Sequence, residues 1–424
     1  MTKKRYEIPM EDTWKLEDMV ADRETWEQLY KEAVKEAERY EEFKGKLAES
    51  ADVLYEALKF DDTFSEKIER LYVYARMRSD EDTADQEYQD MFSRAQSLSF
   101  RAGELSAFMI PEILGMPDGQ LALYCRSENG ISHYRRLLEQ LAKRKAHTLS
   151  HEMEGLLARS KEATQGGAQI FRMFNNADVR FPSITGSDGR ELPVTHGSFI
   201  SLMENPERKI RKSAFESLYG VYKQYSNTLA AAFAANVKQA VFYARARKYD
   251  SSRSYYLNSN EVPEEVYDRL TASVRKGLPK LHRYISLRKR LLKTDDLHMY
   301  DLYVPLVAEA DRPFSFQEAK EMVKEGLAPL GEEYRALLKK GFDGRWIDVY
   351  ENEGKRSGAY SWGVYGCHPY VLLNFQGTLK DVFTLAHEMG HAIHTWYSNE
   401  AQPYTYAGYR IFVAEVASTD RKSV

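Results

Sequence analysis

The chain has only two cysteines, Cys125 and Cys367, far apart and outside any C-x-x-C pattern. A disulfide framework is thereby excluded, and a reducing compartment is the expected setting. Positive charge is not in excess either. Sixty Lys and Arg against 64 Asp and Glu leave a net charge of −4, which argues against a broad basic surface for nucleic acid. No apolar run is long enough to span a bilayer. The opening MTKKRYEIPMEDTW has basic residues but no apolar stretch behind them, so it does not read as a secretory signal. Charge runs such as Lys31–Glu36 carry no sustained a/d heptad, leaving a solvated helix face in place of a coiled coil. Repeats and low-complexity tracts are missing, which disfavours a solenoid. These absences together predict a soluble cytoplasmic protein with neither nucleic acid nor membrane as partner.

What is present is ample material for a core. Of 424 residues, 43% are apolar and 29% charged, enough for two or three lobes. The first hundred or so residues read as helices: Trp14–Val20, Trp26 to about Lys44, Ala51–Lys59, Thr63–Arg78, and a long Thr83–Met109 ended by Pro111. Pro111, Gly115, Pro117 and Gly119 offer a soft boundary, so residues 1–110 form one expected region. More helices follow to about Gln165. Then Val179–Ile184 and Glu191–Val194 flank the turn Gly186-Ser187-Asp188-Gly189, which predicts a β-hairpin and closes a second region, 111–198. Helices resume through about Lys293, with Pro263 in the first turn of one of them. Ser315 and Glu318 form a capping box for another. Between Trp346 and Phe375 the pattern turns strand-like: glycines 354, 358, 363 and 366 precede the β-forming run Tyr370–Phe375.

After Gly377 comes the chemistry. His387-Glu388-Met389-Gly390-His391 is an H-E-x-x-H pattern. Histidines four apart lie on one helix face, a little over one turn apart, so both imidazoles can reach one ion. Apolar positions 382, 385, 386, 389 and 393 would bury the helix's other side. Three protein ligands plus a water leave an open position for a substrate carbonyl. The third ligand is sought downstream, and Glu415, 24 positions after His391, is the stronger candidate. Its neighbours Ile411–Ala414 and Val416-Ala417 are apolar, a setting where an unpaired carboxylate would be costly. Glu400 competes from a polar turn. His394, on the ligand face, is either a fourth ligand or a residue of the cleft. His368 has a peptide-contacting or a structural role. The reaction that fits is metal-assisted amide hydrolysis: zinc lowers the pKa of its bound water to about 7, and Glu388 takes the proton.

With these residues in view, the chain resembles the oligoendopeptidase F family, a branch of the thimet-oligopeptidase-like zinc peptidases. The resemblance rests on LYVYARMRSDEDTADQEYQ at 71–89, MYDLYVPL at 299–306 and GKRSGAYSWG at 354–363. PYVLLNFQGTLKDVFTLAHEMGHAIH at 369–394 and QPYTYAGYRIFVAEVAST at 402–419 carry it further. It implies a mainly α, multi-helical, two-lobed zincin-type peptidase with a small hairpin and a short sheet beside the H-E-x-x-H helix. It implies one Zn2+ ion held by His387, His391 and Glu415, with Glu388 as general base and acid, acting on short unfolded peptides. Residues 199–424 become the catalytic domain. The strand Tyr370–Phe375 becomes the edge along which substrate backbone adds, and Gly358, Tyr360, Gly366, His368, Tyr370, Leu372 and Asn374 become the substrate contacts. One departure matters: after Ser418-Thr419 the family continues for well over a hundred residues, and here the chain reads Asp420–Val424 and stops. The tyrosine and histidine donors for the oxyanion belong to that continuation; Tyr404, Tyr406 and Tyr409 do not match them. Two functions are therefore carried forward. One is a zinc endopeptidase cutting internal bonds of oligopeptides. The other is a truncated fragment that binds zinc or peptide without turnover.

Overall fold

A computed structural model describes residues 3–416 apart from 118, 128, 151–152, 154–155, 158–159, 161–163, 165, 197, 307–312 and 357. The helical run expected to reach Gln165 falls partly, and Ser418 to Val424 wholly, outside the described residues. The chain forms two compact units: Met1–Lys145 with Arg312–Val424, and Ala146–Asp311. The boundaries read at 110/111 and 198/199 therefore fall inside the first and second unit respectively. The architecture is mainly α with small sheets, as expected. No described helix is long and apolar enough to cross a membrane.

In the first unit the central element is a 31-residue helix, Ala51–Glu81, where two helices are expected from sequence. No glycine or proline interrupts residues 51–81, and Phe60 and Phe64 bury across the presumed gap, so the helix continues. Ser50 caps it, its side chain accepting from the Val53 N–H. The helix Gln86–Leu105 packs against it, capped by Asp85, which accepts from the amides of Glu87 and Tyr88. That helix stops short of Met109. Pro111 does not end it but sits in the first turn of a separate helix, Met109–Gly115, where a proline has no intrahelical N–H bond to lose. The expected Trp14–Val20 helix is only a 3-10 turn, Leu16–Asp18, pinned by the burial of Trp14.

This unit also carries a small three-stranded sheet. It contains β3 (Ile347–Asp348), β4 (Tyr360–Trp362) and β5 (Tyr370–Leu372) in the order β3-β5-β4. β5 pairs parallel with β3 and antiparallel with β4, so it is the central strand and not an edge. Its run of consecutive apolar residues is the signature of burial on both faces, and all three residues are fully buried. The helix Leu379–Ala401 follows. Thr378 and Asp381 cap it reciprocally, and Val382, Leu385, Ala386, Met389 and Ile393 face the core. Trp396 stacks on Trp346, whose other neighbour is the ring of His368.

The second unit is helical, with Arg208–Gln224, Ser226–Ala246 and Glu264–Leu291 as its long members. Pro263 stands at the N-cap of the last, one position earlier than expected. The predicted hairpin is present as β1 (Ile184–Thr185) and β2 (Glu191–Leu192), shorter than its sequence signature. It docks on Arg208–Gln224, where Ile184 and Val194 share a core with Ile210, Ala214 and Leu218. Asp301 is fully buried there and accepts from Arg211 at 2.8 Å and Arg208 at 3.0 Å.

Candidate metal centre

Helical periodicity places His387 and His391 side by side, with ring centroids 4.7 Å apart and planes nearly perpendicular. Glu415 lies in a helical segment, residues 411–416, that brings its carboxylate across both rings. Glu415 Oε2 is 3.8 Å from His387 Nε2, and Oε1 is 3.9 Å from His391 Nε2. One ligand atom from each of the three lies within 4.8 Å of the others, the one such group among the described residues. Donor atoms about 2 Å from a common ion stand roughly 3.3 Å apart in a tetrahedron, so modest side-chain rotation closes this set on a metal. Two imidazoles and one carboxylate are a donor set suited to zinc with an open fourth position.

The apolar neighbours of Glu415 do not bury it. Ile411, Phe412, Val413 and Val416 are all exposed, and the Glu415 side chain is itself 56% exposed. What singles it out is its approach to two imidazoles, not an apolar burial that needs compensation. Glu400 is exposed near the end of the helix Leu379–Ala401 and is not in the group. His394 is not in it either; its ring stacks on Tyr409 at 3.9 Å between centroids. Glu388, beside His387, is buried.

The residues expected to contact substrate separate into two classes. Tyr370 and Leu372 are fully buried in the central strand, so their side chains cannot line a cleft. Tyr360 donates its hydroxyl to Asp80, and burial together with that carboxylate drives its pKa well above the ordinary range. His368 is tied to Asp18 at 3.2 Å and stacked on Trp346, and burial lowers its pKa. All four are buried or hydrogen-bonded within the protein. Gly358 and Asn374, by contrast, line a hollow of about 230 Å³ beside Thr384, one turn before Glu388. Asn374 donates to the carbonyls of Arg356 and Gly358 and so shapes the loop leading into β4. Gly358 has φ +89° with open space around it, a conformation that favours glycine. Gly366, exposed at φ +70°, turns the chain beyond β4 against Arg70.

The edge missing from β5 is found on β4. The Val371 and Leu373 amides donate to the carbonyls of Trp346 and Asp348 on the β3 side, so the backbone groups of Tyr370 and Leu372 face β4 and pair with Trp362 and Tyr360. By the alternation of an antiparallel ladder, the N–H and C=O of Ser361 then point away from the sheet. Sequence alone misses this, because three residues of β4 carry no alternation long enough to read.

Comparison with known proteins places this geometry. The model described as "Peptidase family M3" matches residues 201–420, and that described as "Oligopeptidase F" matches residues 112–181. Oligopeptidase PepF of Bacillus subtilis is 46% identical over 421 residues, covering 99% of this chain and 63% of that protein. The chromosomal oligoendopeptidase F of Lactococcus lactis subsp. cremoris is 43% identical, covering 100% and 71%. Among solved structures, a peptidase from Chlamydophila abortus superposes with a TM-score of 0.87 at 30% identity over 100% of this chain and 71% of that one. Oligoendopeptidase-F from Enterococcus faecium gives 0.67 at 35% identity over 94% and 66%. The chain thus spans about two thirds of the length of these relatives. On this evidence, the chain belongs to peptidase family M3, among the oligopeptidase F proteins.

Proposed function

We propose that this chain carries the metal-binding and water-activating machinery of a cytoplasmic zinc oligopeptidase that cuts internal bonds of short, unfolded peptides. The observation behind the reading is the convergence of His387, His391 and Glu415 with Glu388 at the adjoining helix position. His387, His391 and Glu415 would hold one Zn2+ ion, which supplies Lewis-acid polarisation of a carbonyl and of water. Glu388 then accepts the proton of the attacking water and returns it to the leaving amine. Its burial beside the first ligand keeps that proton transfer out of bulk solvent. The outward N–H and C=O of Ser361 supply the edge on which an extended peptide adds as a further strand.

A second reading is zinc and peptide binding without turnover. A quenched fluorescent oligopeptide separates the two. Cleavage that a chelator stops and Glu388→Gln abolishes supports the peptidase. Zinc uptake with no cleavage supports binding alone.

A further inference from the structure

The helix Glu264–Leu291 of the second unit has one side that the described residues leave bare. From Tyr267 to Leu291 an apolar residue recurs every third or fourth position, the spacing that lines one side of a helix. All of them are exposed, Leu270 by 60%, Val274 by 57%, Leu281 by 52% and Leu291 by 53%. A helix of 28 residues makes this strip about 42 Å long. Single exposed apolar residues are ordinary on a protein surface, but a continuous strip of this length marks an interaction site.

The charge of the same helix is equally uneven. Its three carboxylates, Glu264, Glu265 and Asp268, sit in the first two turns and are engaged. Arg253 pairs with Glu264 and Asp268, and Arg269 pairs with Glu265. From Arg269 to Leu291 the sequence has eight basic residues and no acidic one, in a chain whose net charge is −4. Arg288 turns inward to the carbonyls of Asp301 and Val304. Arg275, Lys276, Lys280, Arg283, Lys289 and Arg290 form no ion pair among the described residues. By helical geometry Arg275 and Lys289 border one edge of the strip, and Lys276 and Lys280 the other. Gly277 falls within the strip, halfway along the helix, and a Cβ added there would meet no atom within 4 Å. Glycine in a helix interior is ordinarily a cost, and no neighbour among the described residues requires it here.

We propose that this face docks an amphipathic helix of a second polypeptide. The partner lays apolar residues along the strip, carries Asp and Glu on both flanks and approaches most closely at Gly277. Cations on both borders, with no carboxylate among them, call for acidic flanks. A second copy of this chain does not supply them. Antiparallel pairing about the helix centre sets Lys276 of one copy beside Lys280 of the other, and parallel pairing lines up one basic border with the other. An anionic bilayer would satisfy the charge and cover the strip. A fluid hydrocarbon surface makes no use of a gap at Gly277, however, whereas the ridge of a helix packs into it. The strip belongs to the unit Ala146–Asp311 and the metal ligands to the other, so this surface stands whether or not the chain cleaves peptides.

The test uses the 424-residue chain and two labelled 28-residue helical peptides of the same leucine spacing, one with glutamate on both flanks and one with lysine there. In fluorescence anisotropy the glutamate peptide is expected to bind about tenfold more tightly than the lysine peptide. Lys276→Glu combined with Lys280→Glu is expected to narrow or reverse that preference. Leu270→Ser combined with Leu281→Ser should weaken both peptides, and Gly277→Leu should weaken the glutamate peptide by filling the gap. Circular dichroism confirms the fold of each variant. The same proteins are tested by flotation with vesicles of phosphatidylglycerol and phosphatidylcholine, and by sedimentation velocity over a range of concentrations. Equal affinity for the two peptides, or binding of neither, overturns the acidic helix as occupant. Vesicle binding that survives Gly277→Leu, without a peptide preference, overturns it in favour of a membrane surface. Dimerisation that Leu270→Ser with Leu281→Ser abolishes overturns it in favour of a second copy.

Discussion

Gly363 lies so close to Thr395 that a Cβ built on it would stand 2.2 Å from Thr395 Cγ2. The end of the exposed edge strand therefore rests directly on the ligand helix, one turn beyond His391, and the missing side chain sets how near the two come. Gly363→Ala is expected to cost about 1–3 kcal/mol through overpacking. It should also weaken peptide binding, because the strand is pushed away from the ligands. Thr395→Ser removes the offending methyl and keeps the hydroxyl that lies 2.6 Å from the Tyr409 hydroxyl. The double variant should recover most of the loss. Urea midpoints and peptide anisotropy on the four chains check this; a double variant no better than Gly363→Ala rejects the contact as the cause.

The three proposed ligands give a different pattern. Glu415→Ala should lower zinc affinity more than the 10–100-fold typical of losing an outer hydrogen-bond partner, because a direct ligand is lost. His387→Ala should do the same. Glu388→Gln should bind zinc with unchanged stoichiometry, since its carboxylate is not one of the three converging groups. Competition titration against a chromophoric chelator reads all three. Full zinc affinity in Glu415→Ala removes it from the ligand set.

How much of this was legible beforehand depended on the length scale of the signal. His387 and His391 are local, four positions apart, and their helix announces itself through its apolar stripe and its Thr378–Asp381 cap. The hairpin was readable from Gly186–Gly189 for the same reason. Glu415 stands among apolar residues in the sequence, which suggests burial, yet those neighbours are exposed. The strand order was not legible. The apolar run from Tyr370 looks the same whether the strand is central or peripheral, and only the pairing with both Ile347–Asp348 and Tyr360–Trp362 shows that β5 is enclosed.

Asp348 and Lys355 form an ion pair with no exposed side-chain surface, Oδ1 and Nζ 2.6 Å apart, and Arg5 joins Asp348 to Glu81. Burial alone would raise the Asp348 pKa, but Lys355 and Arg5 outweigh it and hold the carboxyl below its ordinary range. Lys355→Met leaves a buried carboxylate with only Arg5 as cationic partner, and is expected to cost about 3–5 kcal/mol. The sign of the pH effect follows from the depressed folded pKa. The pair's contribution is fully present above the unfolded value of about 3.9 and is lost as pH falls through the folded value. Urea unfolding at pH 7 and below pH 4 should therefore show the gap between wild type and Lys355→Met narrowing in acid. A gap independent of pH would mean that packing, not charge, carries the loss.

Glu69 shifts in the opposite direction. Burial, reinforced by Glu66 and opposed by Arg70, raises its pKa to about 7. Between the ordinary carboxylate value of about 4.3 and 7, the folded chain keeps a proton that the unfolded chain has released, so this group lowers stability as pH rises through that window. Glu69→Gln removes the titrating group, so its urea midpoint should gain on that of wild type as pH rises from 5 to 7. An identical slope in Glu69→Gln would assign the titration to another group.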